Sequence, residues 1–426
     1  MQYSPDVSSV TIDGATGSLL VGGNRLFPIV LSNPPPPGGT APSGRNALAE
    51  VAASGVSFIR TGIADWSAAQ IDQQIAAEQA VLSQAQAHGL LCWLWLGALT
   101  NLPVQAGSPN DVLLTKIVAA FQAHPALGAY KGIDEPANPA PANRIPVAGL
   151  VRAKQRLAAL DPNHPLVIIQ APTGTVADLT PYRPAFDITG ADIYPVSYPP
   201  GIHGGTNKDI SVVGDMTKKM AAAAGTKPVW MTLQICWSGA APSQDSPGTV
   251  PRFPTLHQER FMAYQAIVNG ARGLNFFGGH MTQVTRPADA AAGWNWTFWN
   301  QVLQPLVAEL TSTAVGPALV AVNSSAAVKA SAADVELVAR EGGGFLYVIA
   351  VRRGATTTRV SFSGLPSRQD GQQIGGGQAL FEYVQDPPPP PIQAGEQTFR
   401  NVDVSGGSFA DWFGPHDARV YRFPLT

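Results

Sequence analysis

The sequence predicts an α/β protein: a (β/α)₈ TIM barrel with a short N-terminal β segment, followed by an antiparallel β-sandwich. Three observations carry this. Eight short apolar runs alternate with helix-like segments over roughly the first 300 residues. The runs are apolar without alternation, as strands buried on both faces are. After about residue 313 the pattern changes to period-two strands separated by Gly-rich turns, with no helical pattern between them.

Taken in order, residues 8–31 read as short strands joined by Gly turns, ending in the first barrel strand, Phe27 to Leu31. The next strands are Val56–Arg60, Leu90–Leu96, Leu127–Ile133, Leu166–Ile169, Phe186–Ile193, Val229–Ile235 and Gly273–Phe277. Helical patterns at Asn46–Ala53, Ser67–His88, Asp111–Ala123, Asn143–Leu160, Asp209–Ala224, Leu256–Asn269 and Trp299–Leu310 fill most crossovers. The fifth crossover, Val176 to Tyr182, is short. An open doubly wound sheet is the alternative, but no Gly-rich dinucleotide turn follows the first strand. The barrel is assigned to residues 1–313 and the sandwich to 314–426. Its strands include Val335–Arg340, Phe345–Val351, Thr357–Phe362 and Ala418–Phe423, and Pro387 to Pro391 reads as a loop spacer.

Composition narrows the function. Of 426 residues 45% are hydrophobic but only 13% charged, with a net charge of −2. That gives no footprint for nucleic acid or an anionic membrane surface, and it suits a neutral partner such as a sugar. No run approaches the ~18–20 apolar residues of a membrane span. Neither a basic n-region nor an apolar h-region opens the chain, so export is expected only if a leader has been removed, and a cytoplasmic location otherwise. The two cysteines, Cys92 and Cys236, sit in apolar runs and read as buried thiols. Metal-ligand spacing, a P-loop and a nucleophile elbow are all missing, and no cofactor is expected.

Chemistry concentrates at the strand ends, which a barrel gathers on one face. The fourth run, Gly128-Ala-Tyr-Lys-Gly-Ile-Asp-Glu-Pro136, ends in two adjacent carboxylates. The other strand ends add Asp65 and Trp66, Trp93 and Trp95, Asp192 and Tyr194, Gln234 and Trp237, and Phe277 and His280. Acids, an amide, an imidazole and aromatic rings on one rim make a sugar site: rings stack on C–H faces while carboxylates and amides grip hydroxyls. Each has a plainer alternative. Trp93 and Trp95 alternate inside a strand and fit barrel packing, Asp192 and Tyr194 fit a structural hydrogen bond, and Trp294, Trp296 and Trp299 fit either a sugar platform or domain packing.

Together these residues resemble the clan A glycoside hydrolases. The resemblance covers most of the chain and includes the helix-to-strand run Glu259 to Phe277 and the closing segment Asp411 to Phe423. It implies a carbohydrate-cleaving enzyme with Glu135 as general acid, Asp134 standing where Asn is usual. It also implies a strand-seven nucleophile, but Gln234 occupies that position, and an amide cannot be a carboxylate nucleophile. The expected activity is therefore hydrolysis of a neutral oligo- or polysaccharide by a non-standard route. One route is inverting, with Asp192 (or Asp65) as base and the carboxyls ~6.5–9.5 Å apart. In the other, substrate-assisted, Gln234 orients a group of the sugar. A catalytically inactive binding protein of the same fold is the alternative. The expected contacts to sugar are Asp134, Gln234, Tyr194, Asp65, Trp66, Trp95, Trp237, Phe277, His280 and Trp296.

Overall fold

The computed structural model describes residues 9–138, 141–197, 205–235, 252–280, 286–381 and 399–426. Cys236, Trp237 and the proline run at 387–391 lie outside them.

Eight parallel strands close into a barrel: β4 (Ile29–Leu31), β5 (Phe58–Thr61), β6 (Leu91–Gly97), β7 (Leu127–Gly132), β8 (Leu166–Gln170), β9 (Ile188–Ile193), β10 (Val229–Gln234) and β11 (Ala271–Phe277), with β11 paired back onto β4. Every run read as a barrel strand forms one. Ahead of the barrel, β1 (Val10–Ile12), β2 (Leu19–Val21) and β3 (Asn24–Leu26) form a small antiparallel sheet. Its Val10, Leu19 and Val21 join the inward side chains Val30, Phe58, Leu91, Ala129, Val167 and Ile188 in one buried cluster. The sheet thus seals the N-terminal end of the barrel and leaves the opposite end for chemistry.

Helix starts follow local sequence. Asn46 caps the helix Ala47–Ala53 through the amides of Leu48 and Ala49. Thr255 and Gln258 make a reciprocal capping box before Leu256–Val268. The short fifth crossover is a single helical turn, Val176–Leu179, followed by a 3₁₀ segment, Thr180–Ala185.

Inside the barrel, Trp93 and Trp230 meet edge-to-face at 6.2 Å, and Phe58 meets Trp230 at 5.9 Å. Trp93 is therefore floor packing. A β-carbon at Gly190 would lie 1.6 Å from the Trp230 carbonyl oxygen, so only glycine lets β9 pass this ring layer. The layer directly above it carries the polar side chains.

The C-terminal region has two antiparallel sheets. One contains β12 (Val322–Asn323), β14 (Val335–Gly342), β15 (Phe345–Arg352), β20 (Ala418–Pro424), β17 (Gly376–Leu380) and β18 (Phe399–Asp403). The other contains β13 (Lys329–Ala330), β16 (Thr358–Ser363) and β19 (Phe409–Phe413). Alternation along β15 shows how this region docks. Leu346, Val348 and Ala350 fill the core between the sheets, while Tyr347, Ile349 and Val351 join the barrel's helical layer. Arg260, buried with Glu309 in a 2.8 Å ion pair, also donates to the Ala418 carbonyl across the seam.

Candidate active site

Glu135 follows the end of β7 in a left-handed backbone conformation, with φ at +47°. A non-glycine residue there is held against its preference, and such positions cluster at functional sites. Its amide donates to the Ile169 carbonyl at 2.9 Å, and its carbonyl accepts from the Asn138 amide at 3.2 Å. The turn solves a problem the sequence poses. Consecutive residues of a regular strand face opposite ways, yet the bend lets Asp134 and Glu135 act on one cluster.

In that cluster the Glu135 and Asp192 carboxyls lie close enough to shift each other's ionisation. Asp192 Oδ1 is buried and receives no hydrogen bond from an ordinary donor among the described residues. Burial, then the Glu135 and Asp134 charges, push the Asp192 carboxyl up to about 8. Burial, then Asp134, also raise Glu135, while the Asp192 carboxyl and the Lys131 charge pull the other way. Near neutral pH Asp192 accordingly keeps its proton.

Lys131 is the residue that sequence reading passed over. It points inward from β7 and is buried, with its ammonium 2.5 Å from Asp134 Oδ1 and 3.3 Å from the Gly132 carbonyl. The ammonium lies 4.8 Å from the Trp95 ring centre and 5.6 Å from that of Trp93. Burial draws it below the usual lysine range, and Asp134 opposes that. Its signal was present: a lone cation two residues from Ala129, on the inward face of an apolar strand. Arg60 is the second cation, at the end of β5, with its guanidinium carbon 5.6 Å from the Trp95 ring centre. Gly62, just beyond, has φ at +102°, and a β-carbon there would lie 2.6 Å from the Trp95 amide nitrogen.

Tyr194 and Phe277 stack at 5.5 Å and 18°, and exposed His280 meets Phe277 edge-on at 5.8 Å. These three, with half-buried Trp95, share the rim with the carboxyl pair.

Other expected contacts are placed differently. The Gln234 carboxamide clasps the main chain of Val196: Nε2 donates to its carbonyl and Oε1 accepts from its amide, both at 2.8 Å. It is fully buried and pins the segment after β9, so neither gripping a hydroxyl nor orienting a sugar group fits its bonding. Trp66 is buried against Phe121 and donates to the Trp95 carbonyl at 2.9 Å; it supports the rim from outside. Trp296 is buried in an edge-to-face contact with Trp294, whose indole donates to the Asn33 carbonyl. Both tryptophans lack the exposed face a sugar platform needs. Asp65 is exposed, and its backbone carbonyl accepts from Gln74 Nε2 at 2.9 Å. Among the described residues no group of three His, Cys, Asp or Glu side chains is arranged to hold a metal ion, and no helix is long and apolar enough to cross a membrane.

The fold is that of known glycoside hydrolases. The chain superposes on a glycoside hydrolase family 5 protein from Bacteroides vulgatus with a TM-score of 0.61 at 12% identity, covering 100% of this chain and 95% of that one. The family 51 alpha-L-arabinofuranosidase from Bifidobacterium longum gives a TM-score of 0.52 at 12% identity, covering 99% of each chain. A family 27 β-L-arabinopyranosidase from Geobacillus stearothermophilus gives 0.53 at 12%, covering 94% of this chain and 97% of that one. At such identities the likeness concerns architecture. No protein-family profile and no curated protein matches the sequence.

Proposed function

We propose that this chain is a glycoside hydrolase acting on an oligo- or polysaccharide, with Glu135 as general acid and Asp192 as the partner that keeps a proton on the pair. The observation carrying this reading is the pair of mutually raised carboxyls at the C-terminal ends of β7 and β9, with Glu135 in its left-handed turn. A general acid must still hold its proton near the working pH, and a like-charged partner in a half-buried site provides that. In the reaction the proton moves from the pair to the glycosidic oxygen as the bond from that oxygen to the anomeric carbon breaks. Lys131 and Arg60 then offset the negative charge left on the pair. Water finally adds to the anomeric carbon and returns its proton to the pair.

We favour the substrate-assisted route, in which Asp192 serves the pair's proton rather than activating water and Gln234, held on Val196, takes no part. The nucleophile in this reading is a group of the sugar itself. Retention of anomeric configuration follows, since two displacements occur at the same carbon. Proton NMR of the first product formed tests this: a retained anomer is expected, and an inverted one removes the substrate-assisted route.

A second reading, a carbohydrate-binding protein without turnover, is favoured by one observation. Gln234 stands where a strand-seven carboxylate is expected and is engaged in structure. Saturable sugar binding with no product after long incubation supports that reading instead.

A further inference from the structure

The Arg60 guanidinium has no part in the acid chemistry beyond its charge, yet it is the rim's open recognition group. It is half-buried and lies over the Trp95 indole. Among the described residues it makes no hydrogen bond or ion pair; Asp134 and Tyr194 act on it only through space. The other cation is already taken, because Lys131 is in contact with Asp134. None of its nitrogens is among the buried unpartnered atoms, so the planar fork of five N–H donors is open to an acceptor arriving from solvent.

We propose that Arg60 receives a carboxylate carried by the substrate, so that the sugar chain cleaved here is acidic and contains a uronic acid. This rests on the glycosidase reading of the same site and replaces the neutral sugar expected from composition. Three features support it. A guanidinium fork matches a carboxylate bidentately, a geometry a ring hydroxyl does not offer. Stacking on Trp95 restricts the fork before the ligand arrives, which lowers the ordering cost of binding. Arg60 is also close enough to influence His280, which meets Phe277 edge-on, so the subsite is continuous with the Tyr194–Phe277 platform. A sugar ring on that platform would turn an anionic substituent toward Arg60.

The test is calorimetric titration of the full chain with oligosaccharides of glucuronic, galacturonic or mannuronic acid, each paired with its carboxyl-reduced counterpart. The Glu135→Gln variant is used so that turnover does not obscure binding. At least one acidic member should bind about 10-fold or more tightly than its reduced partner, the size of a hydrogen bond to a charged group. In a Glu135→Gln, Arg60→Met double variant that preference should disappear, with the acidic sugar losing far more affinity than its reduced partner. Arg60→Lys should restore part of it. Equal affinity for acidic and reduced sugars, or an equal loss of both on Arg60→Met, overturns the assignment. The outcomes also separate this inference from the reading beneath it. Cleavage of neutral sugars by the wild type without acidic preference leaves the hydrolase and removes the Arg60 subsite. Arg60-dependent binding of acidic sugars that the wild type never cleaves keeps the subsite and removes the hydrolase. Binding of no carbohydrate removes both.

Discussion

Replacing Asp192 by Asn should weaken the dependence of stability on pH, and the structure gives the size. The Asp192 carboxyl is displaced from 3.8 to about 8 in the folded chain. Those roughly four pH units, at ~1.4 kcal/mol each, set a ceiling on the order of 5–6 kcal/mol for ionising it there. Glu135 titrates with it, so the effect read for the pair is smaller. The sign follows from proton counting. A carboxyl raised on folding binds more proton in the folded state between its two values. Stability is therefore complete below about pH 4 and falls until about pH 8, where it levels off. Asn keeps the size of the side chain and removes both the titration and the charge facing Glu135. Urea unfolding at pH 5 and pH 8.5 should show the wild type losing several kcal/mol more than Asp192→Asn over that interval, with matched m-values. Equal losses in the two proteins would refute the raised Asp192 carboxyl.

Other outcomes follow from the same geometry. Lys131→Met should move the alkaline limb of the activity profile to higher pH, because the Lys131 charge lowers Glu135; a limb that stays in place contradicts that coupling. Glu259 is fully buried, both its oxygens lack partners, and burial raises its carboxyl well above 4.5. Glu259→Met should stabilise the protein by about 1–3 kcal/mol at pH 8, read by thermal unfolding, and by less at pH 4 where the wild-type carboxyl holds its proton. Gly190→Ala should cost about 3 kcal/mol or more, because its β-carbon has nowhere to go beside the Trp230 carbonyl; a near-neutral chemical-denaturation midpoint would show that β9 can shift.

The architecture was legible because strands buried on both faces leave unbroken apolar runs, and all eight barrel runs are strands. The pairing of Glu135 with Asp192 at one rim follows from that topology. What the sequence hid was direction and depth. Gln234 ends its strand pointing inward, but whether its amide meets ligand or backbone depends on the path of the chain at Val196. Trp66 and Trp296 lie near strand and helix ends in sequence, yet both are buried. The reach of Glu135 was hidden for a related reason. The left-handed turn at Glu135 sets how far its carboxyl reaches, and a proline after two acids does not encode that turn alone. Lys131 was readable from alternation with Ala129, but an apolar run with one lysine resembles a strand end with a solvated charge.

The central claim is that Glu135 donates the proton that breaks a glycosidic bond. It is tested most directly by digesting a panel of neutral and acidic oligosaccharides with wild type and Glu135→Gln, and reading products by mass. Cleavage of at least one member by the wild type is expected, with a loss of about 10²–10⁴-fold in the variant, the usual contribution of a positioned acid. Equal cleavage by both proteins would contradict it.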